Sequence, residues 1–263
     1  MDKANLRAAA GSAFQALFRD YSEAGVQAYI HADLVQHNPF VPTGRAALIA
    51  FLPGLQASGI GYTNHRSLQD GEFVVLHNSF TNAQVFGAEK IVTFDIYRMK
   101  DGKAAEHWDV VVPWVEQTAS GRSQVDGPTA IEDLDRTADN KALAQALIED
   151  VLMGRNPSKL TEYVSAESYH QHNPQIKDGL SGLLEAIQQL SAENNMFKYT
   201  KLHKVLGEGN FVLTVCEGEW GGAPQAFYDL FRMKDGVIVE HWDGIQPIPT
   251  EGWAHPNGMF GFP

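Results

Sequence analysis

One stretch of the sequence occurs twice, and it restricts the fold more than any other feature. Residues 94–109 read FDIYRMKDGKAAEHWD and residues 228–243 read YDLFRMKDGVIVEHWD, identical at ten of sixteen positions. Such agreement marks a duplicated unit. Each copy has the pattern of a β-hairpin: an alternating run, the turn Lys-Asp-Gly, and a second alternating run ending in Glu-His-Trp-Asp. Gly102 in third place suits a left-handed position, so the expected turn is a three-residue loop in which Met99 pairs with Lys103. That register sets Asp95 opposite His107 with Asp109 on the same face, and in the second copy it groups Asp229, His241 and Asp243. A two-residue loop would set Asp95 opposite Trp108 and part the carboxylates.

The duplication extends beyond the hairpin. Gln36-His37-Asn38-Pro39 recurs as Gln171-His172-Asn173-Pro174, Tyr62-Thr63 as Tyr199-Thr200, Phe73 as Phe211 and Pro113 as Pro247, at a nearly constant offset. The chain therefore reads as a first unit over 1–117, a polar linker over 118–132, a second unit over 133–247 and a tail over 248–263. Within each unit helices come first and strands after. Helical spacing covers about 5–20, 23–29 and 45–57, then strands near 62–69, 73–80, 83–86, 91–99 and 104–112. The second unit repeats this with helices near 138–153 and 180–192 and strands near 199–207, 210–220, 224–233 and 237–246. That order predicts an α+β fold, with helices on one face of a curved, mainly antiparallel sheet. The hairpin's other face carries Phe94, Ile96, Trp108 and Val110, and Tyr228, Leu230 and Trp242, so it also needs cover. The other unit's sheet is the expected cover, giving an internal pseudo-dimer. The tail, with Trp253, Phe260 and Phe262, is expected to pack over a cavity mouth or the partner unit.

Net charge is −12, and no basic cluster appears, which argues against nucleic acid and anionic membranes as partners. The single Cys216 excludes an internal disulfide and fits a reducing, cytoplasmic setting. No apolar run reaches the length of a membrane span.

Two helices, the HNP turn, a helix, and then strands closing on KDGxxxEHWD together resemble the SnoaL-like polyketide cyclases of the nuclear transport factor 2-like superfamily. The resemblance covers nearly all of both units. It implies cone-shaped α+β units and aldol ring closure without metal or cofactor, with an aspartate as the acid/base. Matched motif to motif, that role falls on Asp109 and Asp243, with Asp95 and Asp229 as partners on the preceding strand. Most members pair as homodimers of single units, whereas this chain fuses two.

The residues themselves favour such chemistry. Ring closure needs a base for a proton flanked by carbonyls, and an exposed aspartate is a weak base. Burial in an apolar hollow, with a second carboxylate nearby, raises its pKa. Asp95, His107 and Asp109, and Asp229, His241 and Asp243, are thus the candidate catalytic groups; the competing role is a structural hydrogen-bonded pair. His37, Asn38, Tyr62 and His77, with His172, Asn173 and Tyr199, are the candidate substrate contacts. His37 and His172 would stand at a pocket mouth as donors to a substrate carbonyl, or else bond the turn backbone. Trp108 and Trp242 alternate away from the aspartates, toward core or interface. No HExxH or CxxC frames a metal site, and no GxSxG marks a nucleophile. The predicted activity is enolate or aldol chemistry of lyase or isomerase type on a small hydrophobic carbonyl compound, without cofactor. A non-reactive binding module, or a hydrolase or dehydratase on the same scaffold, is the alternative.

Overall fold

The protein is described by a computed structural model over residues 6–263. It divides into two units, one running up to Trp114 and including Pro249–Pro263, the other Val115–Ile248. In the first, α1 (Leu6–Phe18) turns Ala9, Ala10, Ala13, Phe14, Ala16 and Leu17 inward. The alanines let the helix lie close to the sheet, and Phe14 reaches the rings of Tyr62, Phe80 and Tyr97. Ser22 caps α2 (Glu23–Tyr29) by accepting the Gly25 N–H at 3.1 Å. The third helix, α3 (Arg45–Ser58), stops at Gly59, whose φ of 65° is left-handed.

Five strands form the sheet: β1 (Ile30–Gln36), β2 (Gly61–Asp70), β3 (Phe73–Thr81), β4 (Lys90–Lys100) and β5 (Lys103–Pro113), in the order β1-β5-β4-β3-β2. β1 runs parallel to β5 and the other pairs are antiparallel. The hairpin strands β4 and β5 therefore lie inside the sheet, with neighbours on both sides. The helices bury one sheet face through a single apolar cluster.

The second unit has α4 (Thr137–Leu147), α5 (Leu160–Tyr163), β6 (His170–Gln171), α6 (Gly179–Ala192), β7 (Lys198–Glu208), β8 (Phe211–Trp220), β9 (Ala223–Lys234) and β10 (Val237–Pro247). Its sheet order, β6-β10-β9-β8-β7, reproduces the first, including the parallel edge pair. It too has its own core.

The hairpin turns differ from the expected three-residue loop. Lys100 pairs with Lys103, leaving Asp101 (φ 51°) and Gly102 (φ 76°) as a two-residue turn with both residues left-handed. Ala105 then bulges from β5 between the pairs Met99–Ala104 and Arg98–Glu106. The bulge supplies the residue that the shorter loop leaves out, so the facing expected from the longer loop survives. Asp95 lies opposite Asp109 rather than His107, and Tyr97 opposite His107. In the second unit Asp235 and Gly236 form the turn, Val239 bulges, and Asp229 faces Asp243.

Three smaller expectations are also corrected. Residues 83–86 hold one tight 3-10 turn, Gln84–Phe86, not a strand. The helix read over 138–153 leaves regular α geometry after Leu147 and continues as a wider turn, Ile148–Leu152. β1 was not anticipated, because a short strand paired only in parallel with a distant one leaves no hairpin signature. Among the described residues, no helix is long and apolar enough to cross a membrane.

The glycines of the turns and helices should respond oppositely to alanine. Gly236 has φ 84°, where a side chain costs about 1–2 kcal/mol. Gly11 lies inside α1 with nothing within 4 Å of an added Cβ. Gly236→Ala should lower the thermal unfolding midpoint, and Gly11→Ala should raise it, by up to about 1 kcal/mol of stability.

Candidate active site

The helix-covered face of β4 and β5 carries Thr93, Asp95 and Tyr97 beside His107 and Asp109. Asp95 and Asp109 are only 5% and 7% exposed, so water cannot satisfy them and protein groups must. Asp95 does well. Its Oδ2 accepts from Asn78 Nδ2 at 2.9 Å and from the Thr93 hydroxyl, and its Oδ1 meets His107 Nε2 at 3.1 Å. Asp109 does less well. Its Oδ2 accepts from Asn38 Nδ2 at 2.8 Å, but Oδ1 is buried without a hydrogen-bond partner.

The turn after β1 holds these groups in place. Gln36 Oε1 accepts the backbone N–H of both His37 and Asn38, which identifies it as the amide oxygen. The same atom faces His107 Nδ1 at 2.8 Å, so Nδ1 must carry a proton. Nε2 then meets the Asp95 carboxylate as the second N–H donor of an imidazolium. Asn38 Oδ1 accepts the Phe40 N–H at 2.9 Å, which turns the amide NH₂ toward Asp109. Sequence reading missed Gln36 and Gln171 as site residues, although both belong to the repeated QHNP string.

Electrostatics follow from this packing. Burial pushes the Asp109 carboxyl up to about 6, with the Asp95 charge adding and the His107 charge and the Asn38 donor opposing. For His107 burial acts to lower the pKa, but the Asp95 hydrogen bond and the two carboxylate charges outweigh it, and the net shift is upward.

The second unit repeats the frame. His241 Nε2 meets Asp229 Oδ1 at 3.0 Å, Gln171 Oε1 meets His241 Nδ1 at 3.1 Å, and Asn173 Nδ2 donates to Asp243 Oδ2 at 2.6 Å. Burial raises Asp243 as well, against the opposing charge of His241. The surroundings differ. Cys216 and Phe227 stand where the first unit has Asn78 and Thr93, and the Tyr199 hydroxyl takes over as donor to Asp229, at 3.2 and 3.3 Å from its oxygens. Tyr62, its counterpart, packs instead on Phe14, Phe18 and Phe80. Asn78 and Thr93 left no mark in the sequence, because the second copy lacks them.

Three candidate contacts turn away from the carboxylates. His77 pairs across β3 and β4 with Phe94 and stacks on it at 4.2 Å, on the opposite face. His37 and His172 follow the last residue of a strand that points its Gln inward, so they turn outward and stack on Trp108 and Trp242 at 4.7 and 4.6 Å. Each reaches a buried glutamate through Nε2 at 2.9 Å, Glu106 and Glu240, which Arg98 and Arg232 also bind. Burial would raise those glutamates, but the histidine and arginine bonds hold them below the usual range. Sequence reading missed the arginine and glutamate of this trio, although Arg, Glu and His are identical in both copies.

In each unit one ligand atom apiece from the two aspartates and the histidine lies within 4.8 Å of the others, so these are the atoms that could hold a cation. In the first unit a proton on His107 balances one carboxylate charge, Asn38 and the Asp95 donors take up three of the four carboxylate oxygens, and Asp109 Oδ1 is the one left open.

Residues 12–107 match the family model of the SnoaL-like domain. The first unit is thus a SnoaL-like domain, and the second repeats its strand order and site frame. No curated protein matches the chain significantly. Solved structures similar to part of it include TsrD from Streptomyces laurentii, at 18% identity and TM-score 0.36 over 42% of this chain and 90% of that one. IdmH from Streptomyces antibioticus, a candidate polyketide cyclase, gives 19% identity and TM-score 0.33 over 40% and 91%. An epoxide hydrolase of M. tuberculosis gives 18% and 0.33 over 42% and 85%.

Both raised groups bind protons more tightly folded than unfolded, so each favours the fold on the acid side. For Asp109 the penalty at neutral pH is on the order of 3 kcal/mol, relieved as pH falls toward 4. For His107 stability is full below its unfolded pKa and is lost as pH rises through the higher folded value. Asp109→Asn should therefore stabilise the protein at pH 8, with the gain fading by pH 4. Unfolding at a series of pH values measures this, and a gain independent of pH would contradict it.

Proposed function

We propose that the first unit is an acid–base catalyst of enolate chemistry on a small, hydrophobic, enolisable carbonyl compound. The observation that supports this most is Asp109 Oδ1, a carboxylate oxygen buried among protein atoms with nothing bonded to it. Folding stability alone does not favour such a group. Its pKa of about 6 leaves it mostly ionised near neutrality, yet far more basic than a free aspartate.

In this reading Asp109 takes the proton from a carbon flanked by carbonyls. The resulting enolate carbon attacks a second carbonyl of the same molecule, and a carbon–carbon bond forms. The new alkoxide takes back the proton that Asp109 holds, so proton and charge balance over the cycle. Asp95 holds His107, Gln36 fixes the proton on its Nδ1, and the imidazolium charge beside the reaction offsets the anion that develops. Asn38 orients Asp109 by binding its other oxygen. The second unit has the same frame with an aromatic, tyrosine-bearing surround, which suits a related ligand. The polyketide cyclase resemblance of the EHWD and QHNP motifs supports the aldol direction of the chemistry.

Asp109→Asn, Asp243→Asn and the double variant should be assayed on a β-polyketo ester. The expectation for Asp109→Asn is a loss of about 10²–10⁴-fold in kcat. The wild-type rate should rise with pH through about 6, following Asp109, and a chelator should leave it unchanged. Full turnover by the double variant would remove the proposal.

A further inference from the structure

The outer faces of both sheets are clamped in the same way, each by an irregular segment. In the first unit the clamp is the tail. His37 Nδ1 donates to Gly258 O at 2.8 Å, Trp108 Nε1 donates to Phe260 O at 3.1 Å, and Phe262 stacks on Trp108 at 4.4 Å. Ala254 N–H donates to Pro39 O at 2.8 Å, His255 Nε2 donates to Asn38 O at 2.7 Å, and Asn257 Nδ2 donates to Gln36 O at 3.0 Å. Asn257 N–H donates to His255 Nδ1, which fixes the proton of that ring on Nε2.

In the second unit the clamp is the linker. His172 Nδ1 donates to Ser123 O at 2.6 Å, Trp242 Nε1 donates to Asp126 O at 3.0 Å, and Ala119 N–H donates to Pro174 O at 2.8 Å. Arg122 Nε donates to Asp178 Oδ1 at 2.9 Å, and that oxygen also accepts the Gln171 N–H. The spacing from Ala119 to Ala254, and from Ser123 to Gly258, equals that from His37 to His172. Tail and linker are therefore equivalent segments of the repeat. Each follows the last strand of one unit and braces the QHNP turn of the other. The match lies in backbone geometry and not in side chains.

We propose that these segments are exchanged positioning straps: the tail sets Gln36 and Asn38 at the first site, and the linker sets Gln171 and Asn173 at the second. Gln36 and Asn38 are the residues that fix His107 and Asp109, and the tail binds the backbone carbonyl of each. A unit cut out between its first helix and its last strand would lack its own brace. The surface that takes the strap, His37 and Trp108 presenting two outward N–H donors with an aromatic floor, fits an extended segment with aromatic residues near its end. This inference does not rest on the enolate reading, since it concerns the geometry of the turns alone.

Amide hydrogen exchange on the full chain separates the two turns. His255→Ala combined with Asn257→Ala should speed exchange at His37 and Asn38 at least tenfold and leave His172 and Asn173 unchanged. The ¹⁵N signals of the His107 ring should shift while those of His241 stay. Arg122→Ala should give the opposite pattern. A chain ending at Ile248 should bind a synthetic peptide of residues 249–263, with a blue shift of tryptophan emission and recovery of the slow exchange. If that truncated chain does not fold, the point variants still decide. Equal changes at both turns, or none at either, would overturn the proposal, whatever the outcome of the turnover assays.

Discussion

The site depends on the register of one hairpin. Side chains alternate across a strand, so a slip of one residue would send Asp109 outward and bring Trp108 in. The two-residue turn at Asp101-Gly102 has the wrong parity by itself, and the bulge at Ala105 restores it. Both copies combine the same turn with the same bulge, at Val239 in the second. From that register follow the shared face of Asp95, His107 and Asp109 and the opposite face of Glu106 and Trp108.

Placing two carboxylates on a buried face is costly, and the structure offsets the cost unevenly. Asp95 receives three donors and serves to hold His107. Asp109 receives one and keeps a free oxygen. The imidazole between them has its Nδ1 proton fixed by Gln36. Two identical residue types thus acquire different characters from their neighbours, one fixed and one poised to accept a proton.

The duplication kept the frame and changed the walls. Gln, His, Asn and the Asp-His-Asp set occur in both units with nearly the same distances. The groups that support the strand aspartate differ: an amide and a hydroxyl in the first unit, a phenol in the second. The outer faces stayed alike, each with a histidine stacked on a tryptophan above a glutamate–arginine pair.

By itself the sequence determined the duplication, the α+β order of each unit and the grouping of Asp95, His107 and Asp109, because local patterning carries period and turn chemistry. It also indicated that Trp108 and Trp242 face away from the aspartates. It misplaced His37, His77 and His172, since the face of a residue at a strand end or beyond a bulge depends on a register that local pattern does not fix. The reach of Gln36 to His107 came only from the parallel pairing of β1 with β5. The bracing of the QHNP turns by distant segments was decided by the tertiary structure alone. Contacts between backbone carbonyls and ring N–H groups far apart in the chain leave no pattern in the order of side chains.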